Sequence, residues 1–192
     1  MPPRAHRWML LVCVALVASA RPAVAEPPTT RLRLGAHAVS FVQPGVRLSV
    51  PVDLHAHDRG AGRAGMLFVS PHLGLFGGFR NHVSLQLGGA LGYRFLTPRR
   101  GRFHELGVGG GYVAEWQITS LEVNLGTGRV DNRRVLRSYF LPHARYLFGR
   151  EGSGRLGGYV GVTAGALVSR QLEASLFLDV EVGLQLRLGG AS

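Results

Sequence analysis

From Leu172 to Leu188 apolar and polar residues alternate without a break. Leu172, Ala174, Leu176, Leu178, Val180, Val182, Leu184, Leu186 and Leu188 share one parity. Glu173, Ser175, Phe177, Asp179, Glu181, Gly183, Gln185 and Arg187 share the other. Successive side chains of an extended chain point to opposite faces, so the pattern predicts a strand with one apolar and one charged face. A helix would scatter both sets around its axis. Soluble strands usually run about five or six residues, whereas a tilted strand crosses a bilayer with roughly 9 to 11. The length therefore points to a membrane-spanning strand, with Val180 facing lipid and Ser175 facing a lumen.

The same alternation recurs at Val83–Phe95, with Val83, Leu85, Leu87, Leu91, Tyr93 and Phe95 on one side, and at Leu156–Val168. Weaker versions occur near 31–42, 46–55, 65–77, 103–118 and 135–148, separated by Gly, Pro, Asn or Arg clusters. Eight amphipathic strands predict an all-β fold, an eight-stranded antiparallel up-and-down transmembrane β-barrel with a polar, charged lumen. The parity flips from Trp116 and Ile118 to Leu121, Val123 and Leu125, which predicts a bulge or the membrane boundary near Thr119. Pro142 removes a ladder hydrogen bond and predicts a local irregularity.

The N-terminus makes export the expectation. Arg4, His6 and Arg7 precede an apolar run from Trp8 to Ala18, and Ala23-Val24-Ala25 precedes Glu26 as a small-x-small cleavage site. Residues 1–25 read as a cleaved signal peptide and 26–192 as a single barrel domain. The one cysteine, Cys13, lies in the apolar run, so the mature chain would hold no disulfide and no Cys-based metal site. Val12 before it argues against a lipoprotein signal.

The net charge is +11, and all 22 basic residues are arginine. Loss of Arg4, Arg7 and Arg21 with the signal would leave about +8. An exported chain with scattered arginines is not expected to bind nucleic acid. Anionic lipopolysaccharide headgroups are a more natural partner for exposed arginines.

The polar parities of the eight segments define the expected lumen: Arg33, Arg47, Asp53, Arg94, Glu105, Glu115, Arg137, Arg145, Glu173, Asp179, Glu181 and Arg187. Both signs occur in comparable number. In a narrow lumen an isolated charge is costly, so an arginine–carboxylate network is expected, structural rather than conducting. Gly107, Gly109 and Gly111 share one face, as do Gly157, Gly161 and Gly165, which makes room for long side chains in a barrel that eight strands only just fill.

The last strand carries Glu181-x-Gly183-x-x-Leu186-x-Leu188, a polar residue, a glycine and two alternating bulky apolar residues. This resembles the terminal β-signal of bacterial outer-membrane barrels, which the barrel-assembly machinery recognises. That motif usually ends in aromatics at the extreme C-terminus, whereas leucines stand here and four residues follow. With the signal peptide and the eight segments, the chain resembles the small outer-membrane barrels of the OmpA and OmpX type. The resemblance implies location in the cell outer membrane, contact with its lipid and lipopolysaccharide, and a monomer; it does not imply an activity.

Small barrels of that group include lipid A deacylases and palmitoyltransferases. His104 and Ser40 are candidates for an outward-facing pair, but no outward acid completes it, and no enzyme activity is expected. His55-x-His57-Asp58 is the densest histidine group, joined by His37, His72, His82, His104 and His143; no second pair recurs, and neither metal nor cofactor is expected. Gly107-x-Gly109-Gly110-Gly111 lacks the helix and Lys-Ser/Thr of a phosphate loop. With the C-terminal strand ending in the periplasm, the external connections fall near 43–45, 78–81, 119–134 and 169–171, and the periplasmic ones near 56–64, 96–102 and 149–155. The loop 119–134, carrying Asn124, Gly126, Gly128, Asp131 and Asn132, is then the expected external contact surface. Two alternatives stand: a lipid A-modifying enzyme, and a soluble lipocalin-like barrel whose apolar face points inward around a greasy ligand.

Overall fold

A computed structural model describes residues 29–188 apart from 41, 59–63, 79–81, 98–100, 125–128 and 153–154. The expected signal peptide, residues 1–25, lies outside the described residues. The strands are β1 (Thr30–Val39), β2 (Gln43–Ser49), β3 (Val52–Asp58), β4 (Ala64–Gly78), β5 (His82–Thr97), β6 (Arg102–Asn124), β7 (Arg129–Glu151), β8 (Leu156–Val168) and β9 (Ala174–Leu188). Every neighbouring pair is antiparallel, and β1 pairs with β9 from Thr30↔Leu188 to Val39↔Asp179, which closes the sheet.

Strands β2 and β3 are one stave. The register of β2 with β4 carries on into the start of β3, Ser49↔His72 and then Val52↔Val69, and shifts by one residue between Asp53 and His55. Between them Pro51 has no N–H to give the ladder. The gap is bridged by Val50 N donating to Pro71 O (3.0 Å) and Arg31 N donating to Pro51 O (2.9 Å). The wall is therefore eight staves, as the alternation predicted.

The register sets the stagger. Partners run Thr30, Val52, Val69, Leu91, Val108, Ala144, Ala164 and Leu178 once around the wall. Leu178 O then accepts from Ser40 N at 2.6 Å, so the circuit returns to the first stave about ten residues above its start. That offset tilts the strands and closes the ladder without a free edge.

Sidedness follows the alternation. Leu34, Leu87, Val108, Leu136 and Val182 are exposed outside, while Arg33, Arg94, Glu105, Asp179 and Glu181 are buried within. A lipocalin-like barrel with an apolar interior is excluded by this arrangement.

The end where Thr30 meets Leu188 is called the base, and the opposite end the crown. The bulge expected near Thr119 is present, as a register shift between Ile118 and Ser120. The expected loop 119–134 is corrected. Strands β6 and β7 stay paired up to Asn124↔Arg129, so most of this segment is a projecting hairpin. Strand β5 follows β6 only to Gln117, and β8 follows β7 only to Phe140, so the hairpin rises above the wall. At Pro142 the β7–β8 pairing skips from Phe140 to His143, the irregularity its missing N–H predicts. Leu172 is not in a strand: it sits in the turn before β9 with φ 64°.

Candidate functional site: the charged interior

Two ion clusters fill the lumen. In the lower one, Glu105 accepts from Arg33 through both oxygens (2.7 and 2.5 Å) and also pairs with Arg94. Arg94 and Glu105 are cross-strand partners on β5 and β6, whereas Arg33 reaches Glu105 across the lumen from β1. Asp53 pairs with Arg31 at 2.6 Å, and Glu151 lies 3.5 Å from Arg31 and 3.3 Å from Arg94. The Phe103 ring lies under both guanidinium groups, 5.7 Å from Arg33 and 4.7 Å from Arg94, a position that attracts a cation.

The upper cluster is built on β9. Asp179 pairs with Arg47 (2.6 Å) and His37 (3.0 Å), and Glu181 with Arg47 (2.9 Å) and Arg145 (2.7 Å). Gln86 accepts from Arg47 at 3.0 Å and meets His72 Nε2 at 3.2 Å. His72 in turn packs edge-on against His143 at 5.4 Å. Tyr159 joins the clusters, since its hydroxyl donates to Glu181 at 2.6 Å and its ring lies 5.4 Å from the Arg33 guanidinium.

The charges balance: Arg31, Arg33, Arg47, Arg94 and Arg145 face Asp53, Glu105, Glu151, Asp179 and Glu181. Towards the crown the lumen is closed by Val39, Phe76, Val113, Leu141 and Phe177, all buried. A second buried apolar cluster, Phe103, Leu147 and Tyr159, packs among the ion pairs. A void beside Ser70, Glu105, Arg145 and Leu147 measures about 10 Å³, barely one water. The arrangement ties β1 to β6, β2 to β9, β5 to β6 and β7 to β9 through the lumen.

The expected lumen residues divide by depth. Arg33, Arg47, Asp53, Arg94, Glu105, Arg145, Asp179 and Glu181 lie in the two clusters. Glu173 and Arg187 are corrected: both are exposed, Glu173 in the turn before β9 and Arg187 at the base rim, where inward parity no longer means enclosure. Glu115 and Arg137 are partners across the β6–β7 ladder near the crown, but Glu115 is half-buried and Arg137 exposed, outside the clusters. Sequence reasoning missed Arg31, His37, Gln86, Glu151, Tyr159 and Gln185. Arg31 and His37 share the parity of Arg33 inside the expected strand 31–42, so alternation already marks both as inward; Glu151 shares the parity of Arg145 but lies beyond the expected strand 135–148.

The expected assembly signal has interior roles as well. Glu181 carries the upper cluster, and a Cβ at Gly183 would meet the Tyr159 hydroxyl at 2.6 Å and Leu34 O at 2.5 Å. Leu186 and Leu188 are exposed outside. On the wall, His104 Nδ1 lies 2.7 Å from the Tyr146 hydroxyl near the base. Ser40 stands in the turn above β1, at the crown, so the structure does not bring His104 and Ser40 together. His55 is exposed, and the side chains of His57 and Asp58 lie outside the described residues.

No family model matches the chain, and no curated protein sequence does. Among solved structures it is similar to the outer membrane enzyme PagL, at 11% identity and TM-score 0.57, over 82% of this chain and 99% of that one. The NanC porin structure aligns at 11% identity and TM-score 0.20, over 83% of this chain and 100% of that one. The likeness to PagL is one of fold: the chain has the fold of an outer-membrane β-barrel.

Proposed function

We propose that the chain is an integral outer-membrane barrel whose interior is a structural plug and whose working surfaces are its outer wall, its rims and the projecting hairpin. The observation that carries this reading is its sidedness, apolar outside and ion-paired within. In hydrocarbon every backbone polar group needs an internal partner, and the closed ladder supplies one. Outward aromatics cluster at two heights, Tyr93, Phe95, Tyr146 and Phe148 towards the base and Tyr112, Trp116 and Phe140 towards the crown, as interfacial belts do. The base faces the periplasm, where β9 ends with Glu181, Gly183, Leu186 and Leu188 as the segment read by the assembly machinery. The barrel works as a monomer among outer-membrane lipid and lipopolysaccharide.

The test is fractionation of a tagged protein, comparison of gel mobility with and without boiling, and reconstitution in planar bilayers. Recovery in the outer-membrane fraction, heat-dependent mobility and absence of conductance steps are expected. A protein found in the soluble periplasm without detergent overturns the membrane reading, and steady single-channel steps overturn the plug. The enzymatic reading, a lipid A-modifying barrel, rests on His104 and Tyr146 meeting on the outer wall. Among the described residues no carboxylate stands with them there, and the reading requires turnover of labelled lipopolysaccharide that is lost in His104→Ala.

A further inference from the structure

Two arginines stand side by side on the outside of the barrel at its base. Arg102 and Arg150 are partners across the β6–β7 ladder, and both are exposed. Their parity continues up the wall through His104 with Phe148 and Leu106 with Tyr146. Like charges directly opposite one another repel. Among the described residues no carboxylate relieves them: neighbouring Glu151 is turned inward to Arg31 and Arg94. Arg155 and Arg187 are exposed at the same rim, which carries no exposed acid among the described side chains. The pair calls for an anion from outside the chain.

What lies above the pair identifies the anion. The ring of His104 meets Tyr146 and Phe148, an amphipathic belt of the kind found at headgroup depth. Beyond it the wall opens into a groove of about 580 Å³, with Gly92, Gly107, Ala144 and Ala164 along it and Leu106 and Val162 among its sides. From Arg102 to Val108 the strand runs about 20 Å, which at a tilt of about 40° is roughly 15 Å along the membrane normal, half the thickness of a bilayer's hydrocarbon core. Cationic pair, aromatic belt and apolar groove thus follow in the order of phosphate, glycerol backbone and acyl chain.

We propose that this strip binds one anionic glycerophospholipid of the leaflet around the base, its phosphate between Arg102 and Arg150 and an acyl chain in the groove. The site rests on the membrane reading above. Because the base faces the periplasm in that reading, the lipid is a phospholipid rather than lipopolysaccharide.

The test offers the purified barrel, in non-ionic detergent, phosphatidylglycerol and phosphatidylcholine with identical acyl chains, and counts retained lipid by native mass spectrometry. Phosphatidylglycerol is expected to be retained at least about tenfold better. R102Q/R150Q removes the preference, A144W lowers retention of both lipids by filling the groove, and R170Q, in the exposed turn at the crown, changes nothing. Equal retention of the two lipids, or an unchanged preference in R102Q/R150Q, overturns the site. Displacement of the lipid by millimolar inorganic phosphate would make it a free-phosphate site, and displacement by equimolar lipopolysaccharide would put the base in the other leaflet; either overturns the proposal. A wild-type barrel with heat-dependent mobility but no lipid preference sinks this site alone, whereas one without that mobility, soluble without detergent, sinks the membrane reading.

Discussion

Glu105 holds two guanidinium groups that have no access to water, Arg33 and Arg94. Removing one partner of a buried ion pair leaves an uncompensated charge, which costs about 3–5 kcal/mol, whereas replacing the group by apolar residues is often close to neutral. Glu105→Leu should therefore lower barrel stability by that amount, read from the denaturant midpoint in detergent. Adding Arg33→Met and Arg94→Met should return most of it. An unchanged midpoint in Glu105→Leu would contradict the network. Parity alone placed Glu105, Arg94 and Arg33 on the inner face. It could not pair them, because Arg33 and Glu105 are 72 residues apart and meet only across the lumen.

At the scale of the strand, β9 separates what parity dictates from what depth dictates. Val182 lies outside among Val160 of β8 and Ala36 of β1, well inside the wall, whereas Leu176 is near the crown end of the same face. Arginine on the lipid face costs about 2–4 kcal/mol at the bilayer midplane and about 0–1 near an interface. Val182→Arg should therefore lower unfolding stability in lipid bilayers by the larger amount and Leu176→Arg by the smaller. Equal effects would refute the placement of the wall. Ser175, expected to face a lumen, is exposed instead, as are Glu173 and Arg187. All three have inward parity, but they lie where the wall starts or stops, and alternation carries no information about where neighbouring strands end.

For the whole molecule, the hairpin above Gln117 and Phe140 pairs only with itself among the described residues, so the closure of the wall does not depend on it. Replacing residues 120–133 by a short turn should leave heat-dependent gel mobility unchanged; its loss would show that the projection helps to fold the barrel. The eight staves, the bulge beside Thr119 and the break at Pro142 were legible because each follows from local chemistry: alternation, a parity flip, a missing N–H. The interruption at Pro51 went unread, although the same missing N–H causes it, since the strand around it was too weakly patterned to show a break. What the sequence determined by itself is a set of two-faced strands, one face apolar and one charged. Only the tertiary structure decided which face is concave, because the same alternation builds a greasy pocket or a membrane wall according to how the sheet closes. Closure here folds the charged faces inwards, where a lumen eight strands wide brings five arginines and five carboxylates within reach of one another and leaves the leucines outside.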